Sequence, residues 1–478
     1  MIRKTILLLL ITGTYILSCS DNPGTRNEKN ESIAFDLDSI RVRGKIIAVT
    51  DYNSTSYFIY RGEPMGFQFE LLRAFSDHVG LDLDIVSENN LKHAFSMLNS
   101  GEADILALNL TVNDPRKESI LFTEPIAETR QVLIQRKPYN WRDLTLSDLG
   151  NQLIRKPGDL ARKKVYVQES SAHVKLLNEI SEETGGKINI VEVPFESERL
   201  IRMVANGDID FAVCDENIAV VNSAYYPDID VSTYLSTNVN LAWGIRKNNS
   251  EQLLTALNDW IVSFRKTSAY AIMYAKYFNN SRTGAMFSSD YFSINTGKIS
   301  PWDDLIKMYS DSIKWDWRLL AALIYQESRF IPNVVSAAGA FGLMQIMPET
   351  AKNFGIDITS SPKNNIKAGT SYINWLHKIF DPKIEDENER IKFILASYNA
   401  GPGHILDAMK LAEKHGMDPQ KWEGSVAVWL QKKSEPKYYN DAVVKSGYFR
   451  GKESIAFVSQ ILDRYGHYKN ILPPSGEK

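Results

Sequence analysis

One carboxylate stands in a setting that could make it an acid. Glu327 lies in the run Gln326-Glu327-Ser328-Arg329-Phe330, followed by Gly342-Leu343-Met344-Gln345. Apolar residues recur at Trp317, Leu320, Ala321, Ile324 and Tyr325, the spacing of one buried helix face. Glu327 comes three residues after Ile324 and so lies beside that face. A carboxylate leaning on apolar surface loses hydration and its pKa rises. It then stays protonated near neutral pH and can donate a proton to a leaving group. A helix-end Glu on a solvated edge would do none of this, and the neighbouring stretches decide between the two. They are residues 336–348, which contain Ser336, Gly339, Gly342, Gln345 and Met347, and residues 396–403, which contain Tyr398 and Asn399. Gly339 and Gly342 permit a tight loop near Glu327. Ser336, Gln345, Tyr398 and Asn399 can hydrogen-bond amide and hydroxyl groups of a substrate. Met347 can floor a cleft, whereas Met344 reads better as core. Asp316, Glu349 and Asp357 are near in sequence, but each has a capping or surface role. A reaction needing two carboxylates therefore lacks its second member.

The elements that must position these groups fall in two regions. The chain has 478 residues, 44% apolar and 24% charged, with a net charge of −3. That length requires two or three domains. No long Lys/Arg run is present, which argues against nucleic acid as a partner. From residue 302 the period is helical throughout, with candidate helices at 302–313, 317–326, 348–354, 366–380, 390–398 and 405–415, so residues 301–472 read as a mostly α domain. Residues 41–279 read as α/β. Strand-like runs at 45–50 and 83–86 alternate with helical ones, which suggests parallel sheet covered on both faces. Residues 101–106 and 207–212 echo each other: Gly, two residues, Asp, then an apolar strand. This is either a generic helix-to-strand turn or the mark of two similar lobes. Residues 251–278 close the domain as helix, and 280–300 form a linker.

Arg3 and Lys4 followed by an apolar run to Leu17 form an export leader, residues 1–18, too short to span a bilayer comfortably. Residues 19–40 read as a flexible polar tether. Cys214, in an apolar run, reads as a buried small hydrophobe. The Cys and His residues are scattered, so neither a metal site nor a cofactor is expected.

Three resemblances carry these readings further. Ser18-Cys19 at the end of the leader resembles a bacterial lipoprotein cleavage site, which implies a lipid on Cys19. The run from Thr111 to Arg116, followed by Phe122-Thr123-Glu124-Pro125, resembles the family three solute-binding proteins that hold amino acids. The resemblance implies a two-lobed fold, one lobe holding about 43–135 and returning near 240–266 and the other about 140–235, in which Arg116 grips a ligand carboxylate. Arg suits that task because its planar fork binds carboxylate in bidentate fashion. It also implies that Asn109 and Thr111 help hold the ligand and that Asp215 receives its amino group. Asn109 replaces the more usual hydroxyl residue. The Glu327 run, the Gly-rich loop with Gln345, and Tyr398-Asn399-Ala400-Gly401 together resemble the lysozyme-like domain of the family one lytic transglycosylases. That implies non-hydrolytic cleavage of peptidoglycan between N-acetylmuramic acid and N-acetylglucosamine, with Glu327 as the acid and base. Phe457 stands where many relatives carry Tyr. Localisation at the periplasmic face of the outer membrane is expected from the same resemblance. The competing readings are a solute receptor whose second domain only binds the wall, and an ordinary hydrolytic muramidase.

Overall fold

The computed structural model describes residues 36–279, 286 and 289–472. The leader, Cys19, most of the expected tether and part of the expected linker lie outside the described residues. No helix among the described residues is long and apolar enough to cross a membrane.

The first domain is built on two sheets. One contains β1 (Lys45–Thr50), β4 (Asp82–Ser87), β5 (Ile105–Thr111), β6 (Ile120–Phe122), β7 (Ala127–Thr129) and β13 (Val239–Arg246), in the order β4-β1-β5-β13-β6 with β7 also on β13. β1 runs parallel to β4 and β5, and β13 is antiparallel to β5. The last three residues of β1 are all buried, as expected for a strand covered on both faces. The other sheet contains β8 (Gln131–Arg136), β9 (Lys164–Gln168), β10 (Asn189–Val193), β11 (Phe211–Asp215) and β12 (Ile229–Tyr234), in the order β10-β9-β11-β8-β12. The chain thus passes to the second lobe before β8, earlier than the resemblance implies, and returns at β13. The echo at Gly101 and Gly207 is real in backbone terms. Both have φ of 86° and close the helices Leu91–Ser100 and Ser197–Asn206.

Two helices, Glu251–Phe264 and Ser268–Phe278, close this domain where the sequence reads one run. Thr267 breaks the run by capping the second helix through Tyr270 N. Part of the stretch read as tether is helical. Asp36 accepts hydrogen bonds from Leu37 N and Leu253 N, both at 2.8 Å, and the helix Leu37–Arg43 buries Leu37 and Ile40. The stretch read as linker also packs, since Phe292 and Ile299 are buried.

The second domain is helical, with main helices Asp303–Ile313, Trp317–Ser328, Pro362–Phe380, Glu387–Ala400, Pro402–Lys414 and Gly451–Ile471. Its core gathers Trp317, Leu320, Leu323, Ile324, Phe380 and Phe393 among others. Asp407 and Lys433 form a buried pair at 2.7 Å, and Asp407 also accepts from Lys445 N and Ser446 N. Those bonds hold the loop before the last helix.

Residues 36–472 belong to one compact unit. Its two halves meet at a hairpin of the first domain, β2 (Phe58–Tyr60) and β3 (Glu63–Met65). The turn residues rest on the helix Trp317–Ser328 and on the last helix. Tyr468 Oη and Arg464 Nη1 donate to Gly62 O at 2.8 and 3.2 Å, and Tyr325 Oη bonds to Glu63. Tyr57 Oη lies 2.8 Å from His467 Nδ1, and both side chains are buried. At Gly62 (φ +82°) a Cβ would fall 2.5 Å from the Tyr325 ring and 2.7 Å from that of Phe330. A Gly62→Ala substitution should therefore loosen this seam and cost about 1–3 kcal/mol through overpacking and an unfavourable φ. Chemical denaturation of the two proteins checks this, and an unchanged midpoint would mean the seam is not packed as described.

Candidate active site and inter-lobe pocket

The helix Trp317–Ser328 aims Glu327. Asp316 caps its start, accepting from Arg318 N at 2.9 Å, and Arg329 ends it at φ 52° with its N–H on Tyr325 O. Ten of its residues are buried, and Glu327 is partly so. Ser328 fastens the helix end to the Gly-rich loop, donating to Leu343 O at 2.8 Å. Burial pushes the Glu327 carboxyl up to about 8, and no charged neighbour contributes to the shift. The three acids close in sequence are engaged elsewhere. Asp316 pairs with Arg318 and accepts from Tyr465, Glu349 is exposed in the first turn of a short helix, and exposed Asp357 accepts from Thr359.

The loop after Glu327 is held by its own side chains and by one residue that the sequence reading passed over. Gln345 sits at φ 46° and donates its amide nitrogen to Val334 O and Gly342 O, both at 2.9 Å. Ser336 Oγ accepts from Ala340 N at 2.9 Å. Asn365, buried on the helix Pro362–Phe380, accepts from Met344 N and donates to Phe341 O, each at 2.8 Å. Gly342 is required there, because a Cβ would lie 2.4 Å from Asn365 Nδ2. Met344 is fully buried, whereas Met347 is 41% exposed at the loop's end.

Tyr398 Oη donates to Met344 O at 2.7 Å. Burial, followed by the nearby charge of Glu327, raises the Tyr398 phenol well above its ordinary value, so it serves as a neutral donor. Its ring packs 5.4 Å from Tyr372, which stacks at 5.6 Å on partly exposed Trp375. Tyr372 and Trp375 thus extend an aromatic surface away from Tyr398, and the sequence reading missed both. Their i, i+3 spacing on a helix was the available signal. Exposed Asn399 accepts from Ser454 Oγ at 2.6 Å, which ties it to the last helix. Phe457, on the same helix, is buried in the core.

In the first domain the four residues singled out from sequence line one cavity between the lobes: Asn109 and Thr111 from β5, Arg116 after it, and Asp215 at the end of β11. Asn109 accepts from Gln68 Nε2 at 3.0 Å and donates to Ser56 Oγ at 3.2 Å. Arg116 donates to Thr111 O and, across the lobes, to Ser170 O, each at 3.2 Å. Burial holds the Arg116 guanidinium down at about 10, against the pull of Asp215. The sequence reading missed Asp51, His173, Glu196 and Glu198, which line the same cavity. Ser54 N donates to both Glu198 oxygens at 3.0 and 3.1 Å, which joins the two lobes. Burial lifts Glu198 to about 7 in spite of those bonds.

Two family models match the chain: bacterial extracellular solute-binding proteins, family 3, over residues 45–165, and the transglycosylase SLT domain over residues 304–420. Among curated proteins, a membrane-bound lytic murein transglycosylase F from Desulfosudis oleivorans is 32% identical over 432 residues, covering 89% of this chain and 90% of that protein. One of the same name from Pseudomonas fluorescens is 29% identical over 473 residues, covering 98% and 92%. Among solved structures, the ancestral amino acid-binding protein AncCDT-1 is 24% identical with a TM-score of 0.42, covering 50% of this chain and 98% of its own. The P235GK mutant of ArgBP from T. maritima is 21% identical with a TM-score of 0.44, covering 52% and 100%.

The lifted carboxyl has a consequence for stability. Glu327 is favoured neutral in the folded state, so its contribution is fully present below its ordinary value of 4.5 and is lost as pH rises toward about 8. Glu327→Gln should melt higher than the parent at pH 8 and much like it at pH 4. Paired thermal melts read this difference, and parallel curves at both pH values would contradict it.

Proposed function

The chain belongs to the membrane-bound lytic murein transglycosylase F family, and from that membership we propose how its two domains act. It is a lyase that cuts the glycan strands of peptidoglycan. Neutral Glu327 gives its proton to the glycosidic oxygen between N-acetylmuramic acid and N-acetylglucosamine as the muramic acetamide assists departure at C1. The Glu327 carboxylate then takes the proton of the muramic C6 hydroxyl, whose oxygen bonds to C1. The product is a 1,6-anhydro end, Glu327 is neutral again, and no water is consumed. The C6 oxygen is already held in the same sugar, so its effective concentration exceeds that of competing water.

The observation that carries this reading is the Glu327 carboxyl, raised by burial alone with no charged partner. A site with one acid must recycle its proton, whereas a hydrolytic muramidase of the two-carboxylate kind needs a second acid. Tyr398 walls the site. Ser336, Asn399 and Met347 meet the sugar at its rim, and Gln345 keeps the loop in shape while its carbonyl oxygen remains able to accept from sugar. Cys19 carries the lipid that holds the enzyme at the periplasmic face of the outer membrane.

The inter-lobe pocket binds an amino acid or short peptide from the wall and adjusts the enzyme, with Arg116 on the carboxylate, Asp215 on the amino group, and Asn109 and Thr111 beside them. Covalent continuity supports this. Asp51 and Asn53 line the pocket, the chain runs on into β2, and the hairpin turn rests on Tyr325, two residues before Glu327.

Digested wall analysed by mass spectrometry should contain muropeptides one water lighter than hydrolytic products, with Glu327→Gln folded but without turnover. Hydrolytic masses would sink the mechanism. The rate should fall as pH rises past about 8, where Glu327 loses its proton before it can act. For regulation, cleavage by the full chain and by Arg116→Ala is compared with and without soluble wall peptides. Equal rates in all four arms would reject coupling between the domains.

A further inference from the structure

One end of the second lobe carries a positive face that neither site described above uses. Residues 136–164 hold eight basic residues against three acidic ones, in a chain whose net charge is −3. The fold gathers them. β8 ends at Arg136 and β9 begins at Lys164. β11 lies between these strands, antiparallel to β8 and parallel to β9, so both positions fall at the same end of the sheet. Asp215, which lines the inter-lobe cavity, is at the opposite end of β11. The positive face is thus a strand's length away from that cavity.

A hollow on this face is lined by Arg136, Lys137, Tyr139, Arg162, Lys163 and Lys164, and among the described residues only Asp210 adds an acid to its wall. Nearby Arg142 and Arg155 are answered by Asp228 and Asp230. Among the described residues, none of the five basic residues in the hollow pairs with a carboxylate. Like charges gathered without counter-charges repel one another, so an anionic surface against them is favoured. Two apolar side chains stand in water beside them. Tyr139 is 97% exposed, more than any other large hydrophobic side chain among the described residues, and Leu146 is 90% exposed. Leu146 opens a short helix whose last residue, Gln152, also lines the hollow. Trp141, between the two, is pinned by its Nε1 bond to Asp228 at 2.8 Å, and Lys137 lies over its ring at 4.3 Å. The segment is therefore fixed to the lobe while its apolar tips remain in solvent.

We propose that this end of the second lobe docks on an anionic phospholipid membrane, with headgroup phosphates in the basic hollow and Tyr139 and Leu146 entering the boundary of the acyl chains. A basic face with aromatic and aliphatic tips has the chemistry of an interfacial membrane contact. Acidic peptides of the wall would satisfy the lysines, but they offer no apolar phase to Tyr139 and Leu146, whereas a membrane surface answers both. The folded protein makes this contact itself, so it does not depend on a lipid at Cys19.

Vesicle sedimentation tests this with the chain lacking residues 1–19, which keeps the whole compact unit and removes the leader and Cys19 from the measurement. Vesicles of equal parts phosphatidylcholine and phosphatidylglycerol should retain the protein at least about tenfold more strongly than phosphatidylcholine alone, and high salt should release it. Lys163→Gln combined with Lys164→Gln should weaken that retention at least about tenfold. Tyr139→Ser combined with Leu146→Ser should weaken it while leaving its salt dependence in place. All four side chains are exposed, and unchanged wall digestion in solution checks that each variant is folded. Equal retention on the two kinds of vesicle, no retention on either, or full retention of both variants overturns the proposal. Loss of binding to soluble acidic wall peptides in the lysine variant, with vesicle binding intact, would assign the face to the wall and overturn it as well.

Discussion

The packing around the helix Trp317–Ser328 keeps one carboxyl group away from water without giving it a charged partner. A nearby cation would hold Glu327 ionised, and a second carboxylate would split the work between two groups. Burial alone holds it up near 8, so it is neutral at lower pH. Such burial is unfavourable in itself, so the surroundings must be rigid enough to hold it. The cap at Asp316, the tie from Ser328 to Leu343 and the grip of Asn365 on the loop supply that rigidity. They are hydrogen bonds to backbone groups, which position a segment without adding charge near the acid.

The same helix is also the seam between the domains. Tyr325 faces the hairpin turn of the binding domain, and Arg464 lies over its ring at 4.0 Å. The contact lies two residues before Glu327, and the proposed coupling between the domains would pass through it. That route runs through a loop whose residues also line the inter-lobe cavity and which is joined to the far lobe by Ser54 and Glu198. The Gly at position 62 allows the turn to approach the aromatic rings this closely, because any side chain there would push the halves apart.

Much of this was legible in the residues alone. Helical spacing placed Glu327 beside an apolar face, and the Gly-rich loop and Tyr398-Asn399 were visible as companions. The α/β character of the first domain and the helical second domain also followed from periodicity. The lobe crossing was misjudged because β8 is as apolar as its neighbours, and strand period does not say which sheet a strand joins. The break between the two closing helices depended on one capping Thr267, which is weak against a continuous apolar pattern. Asn365 read as an ordinary polar residue near a helix start. Its role appears only when the loop, more than twenty positions earlier, folds back on it.

The sequence by itself determined which chemical groups were available and which stretches of chain would be helix or strand. Those are local properties, set by side-chain type and spacing. The tertiary structure decided how far each group is removed from water and which charges face one another. Asp51 and Asp215 are far apart in sequence, yet they share one small cavity, and the lobes' closure alone brings them together. The rise of Glu327 likewise comes from packing by several helices. Desolvation and Coulomb repulsion depend on distance in space, and no spacing along the chain encodes them.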